Sequence, residues 1–109
     1  MSFHLTSIPS KELHTNVIVR LVHGNELTLN YFELKNHDVK IPFHVHPVEH
    51  LVVILRGKVE FMFEDKIFVL SKDDYLFVPA KMKHTARVID SPVRALELYS
   101  AQEDEYYQR

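Results

Sequence analysis

The sequence predicts an all-β chain closed into a sandwich or barrel, and three observations point there. Short β-branched and aromatic runs recur between turn signals at spacings of roughly 8–12 residues. No stretch keeps apolar residues at a helical period over three turns. The run 58–64 alternates, with Val59, Phe61 and Phe63 on one face and Lys58, Glu60 and Glu64 on the other. The length of 109 residues predicts a single domain over 1–109.

Taken in order, residues 1–15 are polar and aperiodic, with a short turn expected over 10–13. Residues 17–22 are β-branched and read as a strand, and His23-Gly24-Asn25 turns the chain. A second strand covers 27–34, with Leu27 and Leu29 on one face, and 35–38 forms a polar turn. The strand 39–46 is interrupted at Pro42. Pro47 cannot donate to a sheet ladder and marks a turn. His50 opens the apolar run 51–55, which Arg56-Gly57 stops. After the strand 58–64 come a short buried strand at 67–70, a turn at 71–74 and a strand at 75–78 ending at Pro79. Strands at 84–89 and 93–100 flank a turn at Asp90-Ser91-Pro92, and a charged tail runs over 101–109. Tyr31, Phe43, Phe61, Phe63, Phe68 and Phe77 are expected as core or dimer-interface aromatics.

Composition removes several function classes. Hydrophobic residues form 46% of the chain, enough for a packed core. A net charge of −2 and a pI near 6.4 give no bias toward nucleic acid or membrane. With no cysteine there is no disulfide, thiolate nucleophile or sulfur-ligated zinc. Two glycines, Gly24 and Gly57, do not make a phosphate-binding loop or a dinucleotide fingerprint. The start of the chain lacks a basic segment followed by an apolar one, and the run 51–55 is far too short to span a membrane. A soluble cytoplasmic protein is expected. Apolar residues on both faces of 51–55 fit a homodimer.

The chemistry concentrates in Pro42-Phe43-His44-Val45-His46-Pro47-Val48-Glu49-His50. His44 and His46, two apart on a strand, share a face. The turn at Pro47 brings His50 back toward them, and His84 follows the strand ending at Pro79. A lone histidine is usually a surface residue, and His4, His14, His23 and His37 in predicted loops are read so. Four imidazoles at one barrel mouth are different, because each has two ring nitrogens in need of partners. Backbone carbonyls are one answer; a bound cation that takes four nitrogens at once is the other. Imidazole suits Zn, Cu, Fe and Ni, and less obviously Mn. Four neutral ligands leave the charge of a divalent ion uncompensated, so a small anionic molecule is the expected guest. An octahedral ion leaves positions open for substrate, and a tetrahedral one closes the site.

These residues resemble the cupin motifs. The first motif, 38–57, has two histidines one residue apart, a ligand about four residues on and a later glycine, here His44, His46, His50 and Gly57. The second, 73–88, has an aspartate, a proline and a histidine five residues beyond it, here Asp74, Pro79 and His84. The resemblance implies a single-domain cupin, a double-stranded β-helix or jelly-roll barrel, of the subgroup whose metal ligands are four histidines. Asp38, Asp73 and Lys81 stand where the motifs carry glycine, and Val88 where they carry asparagine.

The chain is further similar to the short cupins of pectin and alginate breakdown, which help open 4,5-unsaturated uronates. That likeness implies a catalytic pair at Glu97 and Tyr99, which as an edge-strand pair would instead face water or a partner. Three functions follow as expectations: a metal-dependent enzyme with Lewis-acid and general acid/base chemistry, a metal-dependent dioxygenase, and a binding or sensing barrel without turnover. Arg20, Arg56, Arg87 and Arg94 fall on strands and are expected on solvated faces.

Overall fold

The computed structural model describes residues 3–100. One turn of 3-10 helix, Leu5–Ser7, precedes eight strands: β1 (Lys11–His14), β2 (Val17–His23), β3 (Leu27–Leu34), β4 (Lys40–His44), β5 (His50–Phe63), β6 (Ile67–Ser71), β7 (Tyr75–Val78) and β8 (His84–Ser100). The expected tail, 101–109, lies outside the described residues. The strands pair antiparallel in the order β1-β2-β3-β8-β5-β6, while β4 pairs with β8 and β7 with β5. No described helix is long and apolar enough to cross a membrane.

Residues 10–13, expected as a turn, mostly belong to β1. Lys11 and Glu12 pair with Val19 and Ile18. The larger correction concerns the two long strands. Arg56-Gly57 and Asp90-Ser91-Pro92 were expected to end strands, yet β5 and β8 run through them. The two turn signals mark one shared bend. The register between the strands shifts at Ile54/Arg56, Arg56/Lys58 and Lys58/Val59, as β-bulges allow. Beyond the bend β5 changes its second partner, from β7 over residues 50–53 to β6 over 58–62.

Gly57 makes this possible. Its φ is +84°, and a Cβ there would meet the Pro92 carbonyl oxygen and lie 2.7 Å from that of Asp90. Gly57→Ala is therefore expected to destabilise the protein by about 2–5 kcal/mol, from left-handed backbone strain and overpacking together. A urea unfolding midpoint within error of the wild type would refute this account of the bend.

The core gathers inward residues from both halves of the long strands. Val52, Ile54, Val59, Phe61 and Phe63 of β5 pack with Val88, Val93 and Ala95 of β8, and with Val17 and Leu34. The expected face Val59, Phe61 and Phe63 is buried, as is Tyr31. The segment 67–70 is not a buried strand: Ile67 and Val69 are 59% and 50% exposed, and only Leu70 is buried. β6 ends the sheet path, paired with β5 among the described strands, and the face carrying Ile67 and Val69 is open. Phe68 is 38% exposed, its ring meeting Phe63 edge-on at 5.8 Å, and Phe77 is exposed.

β3 shows a subtler inversion. Leu27 and Leu29 share a face, but Leu27 is exposed; Thr28 and Asn30 point inward and are almost fully buried. A strand with polar residues turned into the barrel is lining something other than a hydrocarbon core.

Candidate metal centre

Sheet register assembles the cluster. His44 at the end of β4 is the cross-strand partner of His84 at the start of β8. His50 starts β5, and His84 in turn lies opposite Phe63. His46 follows β4, and its carbonyl accepts a 2.7 Å bond from the Lys81 amide. Lys81 and Asp73 have φ of 62° and 73°. These are the left-handed conformations a glycine would supply, which explains why replacing the motif glycines left the loops in place.

The ring centroids of His44 and His84 are 4.2 Å apart, those of His44 and His46 4.6 Å, and those of His46 and His50 4.1 Å. All four predicted histidines come together, as two overlapping groups. Ligand atoms of His44, His46 and His84 lie within 4.8 Å of one another, and so do those of His46, His50 and Glu97. His46 is the shared member.

Hydrogen bonds set the tautomers. His84 Nδ1 lies 2.9 Å from the Met82 carbonyl oxygen, which only accepts. Nδ1 therefore carries the proton, and the Nε2 lone pair is available. His50 Nδ1 lies 3.0 Å from Glu97 Oε2. A carboxylate only accepts, so the His50 Nδ1 proton points at Glu97, which is placed to orient the ring. Glu97 also brings a negative charge into a site expected to consist of neutral imidazoles, offsetting part of a cation's charge.

Glu97 and Tyr99 are not an edge-strand pair. β8 lies between β3 and β5, and both side chains are buried. Their surroundings differ, however. Glu97 lines the cavity beside His44, His46 and His84, whereas Tyr99 stacks on His50 with centroids 4.4 Å apart and planes 9° from parallel. His46 stacks on His50 as well, so the His50 ring is sandwiched between the two.

Asn30 is the residue that sequence reasoning missed. It is the cross-strand partner of Glu97 and its Nδ2 donates to Glu97 Oε1 at 3.5 Å. Its Oδ1 is buried with no hydrogen-bond partner among the described residues. The available signal was the alternation of the polar Thr28 and Asn30 with Leu27 and Leu29. His14, read as a surface residue, is exposed but lines the cavity mouth. The arginines stay outside: Arg20 and Arg94 face Glu33, and Arg87 is bound to Glu60.

Burial, reinforced by the neighbouring His50, His44 and His84, pulls the His46 pKa down to about 3 despite the opposing pull of Glu97. Burial likewise lowers that of His84, against the hydrogen bond to Met82. Both rings are neutral at pH 7, the form that binds a metal. In the metal-free protein, the unfolded chain takes up a proton at His46 near pH 6.5 and the folded chain not until near pH 3. The stability this group contributes is thus full above pH 6.5 and is lost as the pH drops toward 3, with His84 acting in the same direction. Melting temperatures of chelator-treated protein are expected to fall from pH 7 to pH 4; a flat profile would contradict the buried, neutral state of these rings.

Burial, the neutral rings of His46 and His84, the fixed His84 tautomer and a neighbouring carboxylate make the donor set compatible with a metal ion. The cupin domain model matches residues 30–99, which contain both motifs and all of these side chains except that of His14. The chain is a cupin. Over 59 residues this cupin is 39% identical to dimethylsulfoniopropionate lyase DddQ of Ruegeria pomeroyi, a match covering 53% of this chain and 29% of that protein. It therefore spans under a third of the length of that curated relative. The crystal structure of the same lyase superposes with a TM-score of 0.65 and 31% identity, covering 71% of this cupin and 39% of that chain. KdgF from Halomonas sp. gives a TM-score of 0.84 at 16% identity, over 97% of this chain and 99% of that one, a likeness of fold.

Proposed function

We propose that this cupin is a metal-dependent enzyme acting on a small anionic or carbonyl substrate by Lewis-acid and general acid/base chemistry. The observation that carries it is the buried Glu97 carboxylate, 3.0 Å from His50 Nδ1 and lining the cavity. His44, His46, His50 and His84 would hold a divalent transition metal, with Zn, Ni, Fe, Mn and Cu all suited to imidazole donors. When bound, the ion supplies Lewis-acid polarisation of a substrate oxygen.

The chain's own residues do the rest. Glu97 holds the His50 ring by one oxygen and receives the Asn30 amide on the other. It is placed to accept or return a proton on a group beside the histidines. Tyr99 backs the His50 ring and keeps its plane fixed. Apolar walls flank the carboxylate.

The similarity to a dimethylsulfoniopropionate lyase favours elimination beside a carboxylate within this class. Ring opening of unsaturated uronates, implied by the sequence resemblance, is the other member to assay. A dioxygenase would need a redox metal and oxygen uptake. Elemental analysis of the purified protein, followed by lyase, uronate and oxygen-uptake assays on metal-replete enzyme, tests the proposal. Turnover without oxygen consumption supports it; oxygen uptake coupled to substrate loss would replace it with the dioxygenase.

A further inference from the structure

The cavity behind the histidines has a volume of about 270 Å³. That is room for about nine waters at their share of liquid volume, and below the usual range for drug-sized ligands. Its polar lining is His14, His44, His46, His84, Glu97 and Asn30; the remaining wall is apolar, including Val19, Phe32, Leu34, Val52, Phe61 and Ala86. No lysine or arginine is among the described residues lining it.

From this division we infer the substrate class. The molecule taken in is a compact acid or carbonyl compound with a hydrocarbon body, its oxygen atoms gathered at one end, rather than a polyhydroxylated sugar acid. The oxygen-bearing head lies with the histidines, Glu97 and the Asn30 Oδ1 that lacks a partner among the described residues. The body enters the space between the apolar walls of β2, β3, β5 and β8.

The physical argument is one of matching. Ring hydroxyls pressed against Val19, Leu34 and Phe61 find no donor or acceptor, and each one stranded this way weakens binding roughly ten- to a hundred-fold. Each methylene placed there instead tightens binding about four-fold. The placement of the head rests on the metal-dependent reading above; the apolar body rests on the cavity alone.

The test is calorimetric titration of zinc-loaded protein with pyruvate, 2-oxobutanoate, 2-oxopentanoate and 2-oxohexanoate, beside 4,5-unsaturated galacturonate, and of metal-free protein with the same keto acids. The expected result is an affinity that rises about four-fold per methylene, with 2-oxohexanoate at least ten-fold tighter than the uronate. A flat series, or a uronate that binds more tightly than 2-oxohexanoate, overturns the inference. If the protein binds no metal, the catalytic reading fails by itself. A chain-length slope that persists in metal-free protein then still supports the apolar body, and a flat one there counts against it.

Discussion

Replacing His44 and His46 together by alanine is expected to abolish metal retention and, with it, activity. His46 belongs to both overlapping donor groups, so its removal leaves each with two members. His44 is the cross-strand neighbour of His84, and its loss leaves His84 without the closest partner ring. Removing a single orienting residue around a metal commonly costs about 10–100-fold in affinity, so removing two ligands is expected to exceed a hundred-fold. Stability gives an independent readout. Wild-type protein with metal at a hundred times its dissociation constant should gain about 2.7 kcal/mol, or roughly 10–20 °C in melting temperature for a domain of this size. The double variant should show no such rise. An undiminished metal content in the variant would remove these histidines from the account.

Glu97→Gln is expected to lower turnover by about 10²–10⁴-fold while metal still loads at saturating concentration. The amide oxygen can still accept from His50 Nδ1, so the ring keeps its orientation, but the group no longer exchanges a proton. The structure adds a second consequence. Because Glu97 also supplies the carboxylate behind His50, metal affinity itself should weaken, within the range known for orienting partners. Steady-state kinetics and metal titration on the same preparation separate the two effects. Full activity would assign Glu97 an orienting role only, and lost activity reversed by excess metal would mean the same.

Much of the site was legible in the sequence because metal ligands are spaced by strand geometry. His44, His46, His50 and His84 are each placed by a strand end or the turn next to it, and the turn residues Pro47 and Pro79 announced those ends. Glu97 and Tyr99 share a face by the two-residue period alone, but their separate contacts depend on what lies across the sheet. Glu97 meets Asn30 on β3, while Tyr99 meets the His50 ring.

Asn30 was invisible for a related reason. Leu27 and Leu29 alternate with Thr28 and Asn30, and hydrophobicity assigns the leucines to the core. The barrel reverses this because its interior is partly a site, where Asn30 meets the Glu97 carboxylate. The exposed Ile67 and Val69 mislead in the same way, since an apolar run does not reveal that its strand ends the sheet. The shared bend was missed because Arg56-Gly57 and Asp90-Ser91-Pro92 each read as a stop. Only their proximity across two strands shows that the glycine gives way to the Pro92 and Asp90 carbonyls.

The most direct measurement is anomalous diffraction from crystals of the metal-loaded protein, collected on either side of the metal's absorption edge. The account predicts one strong peak among the imidazoles of His44, His46, His50 and His84, with Glu97 still on His50. A peak elsewhere on the protein, or none among those rings in crystals whose protein carries metal, would contradict it.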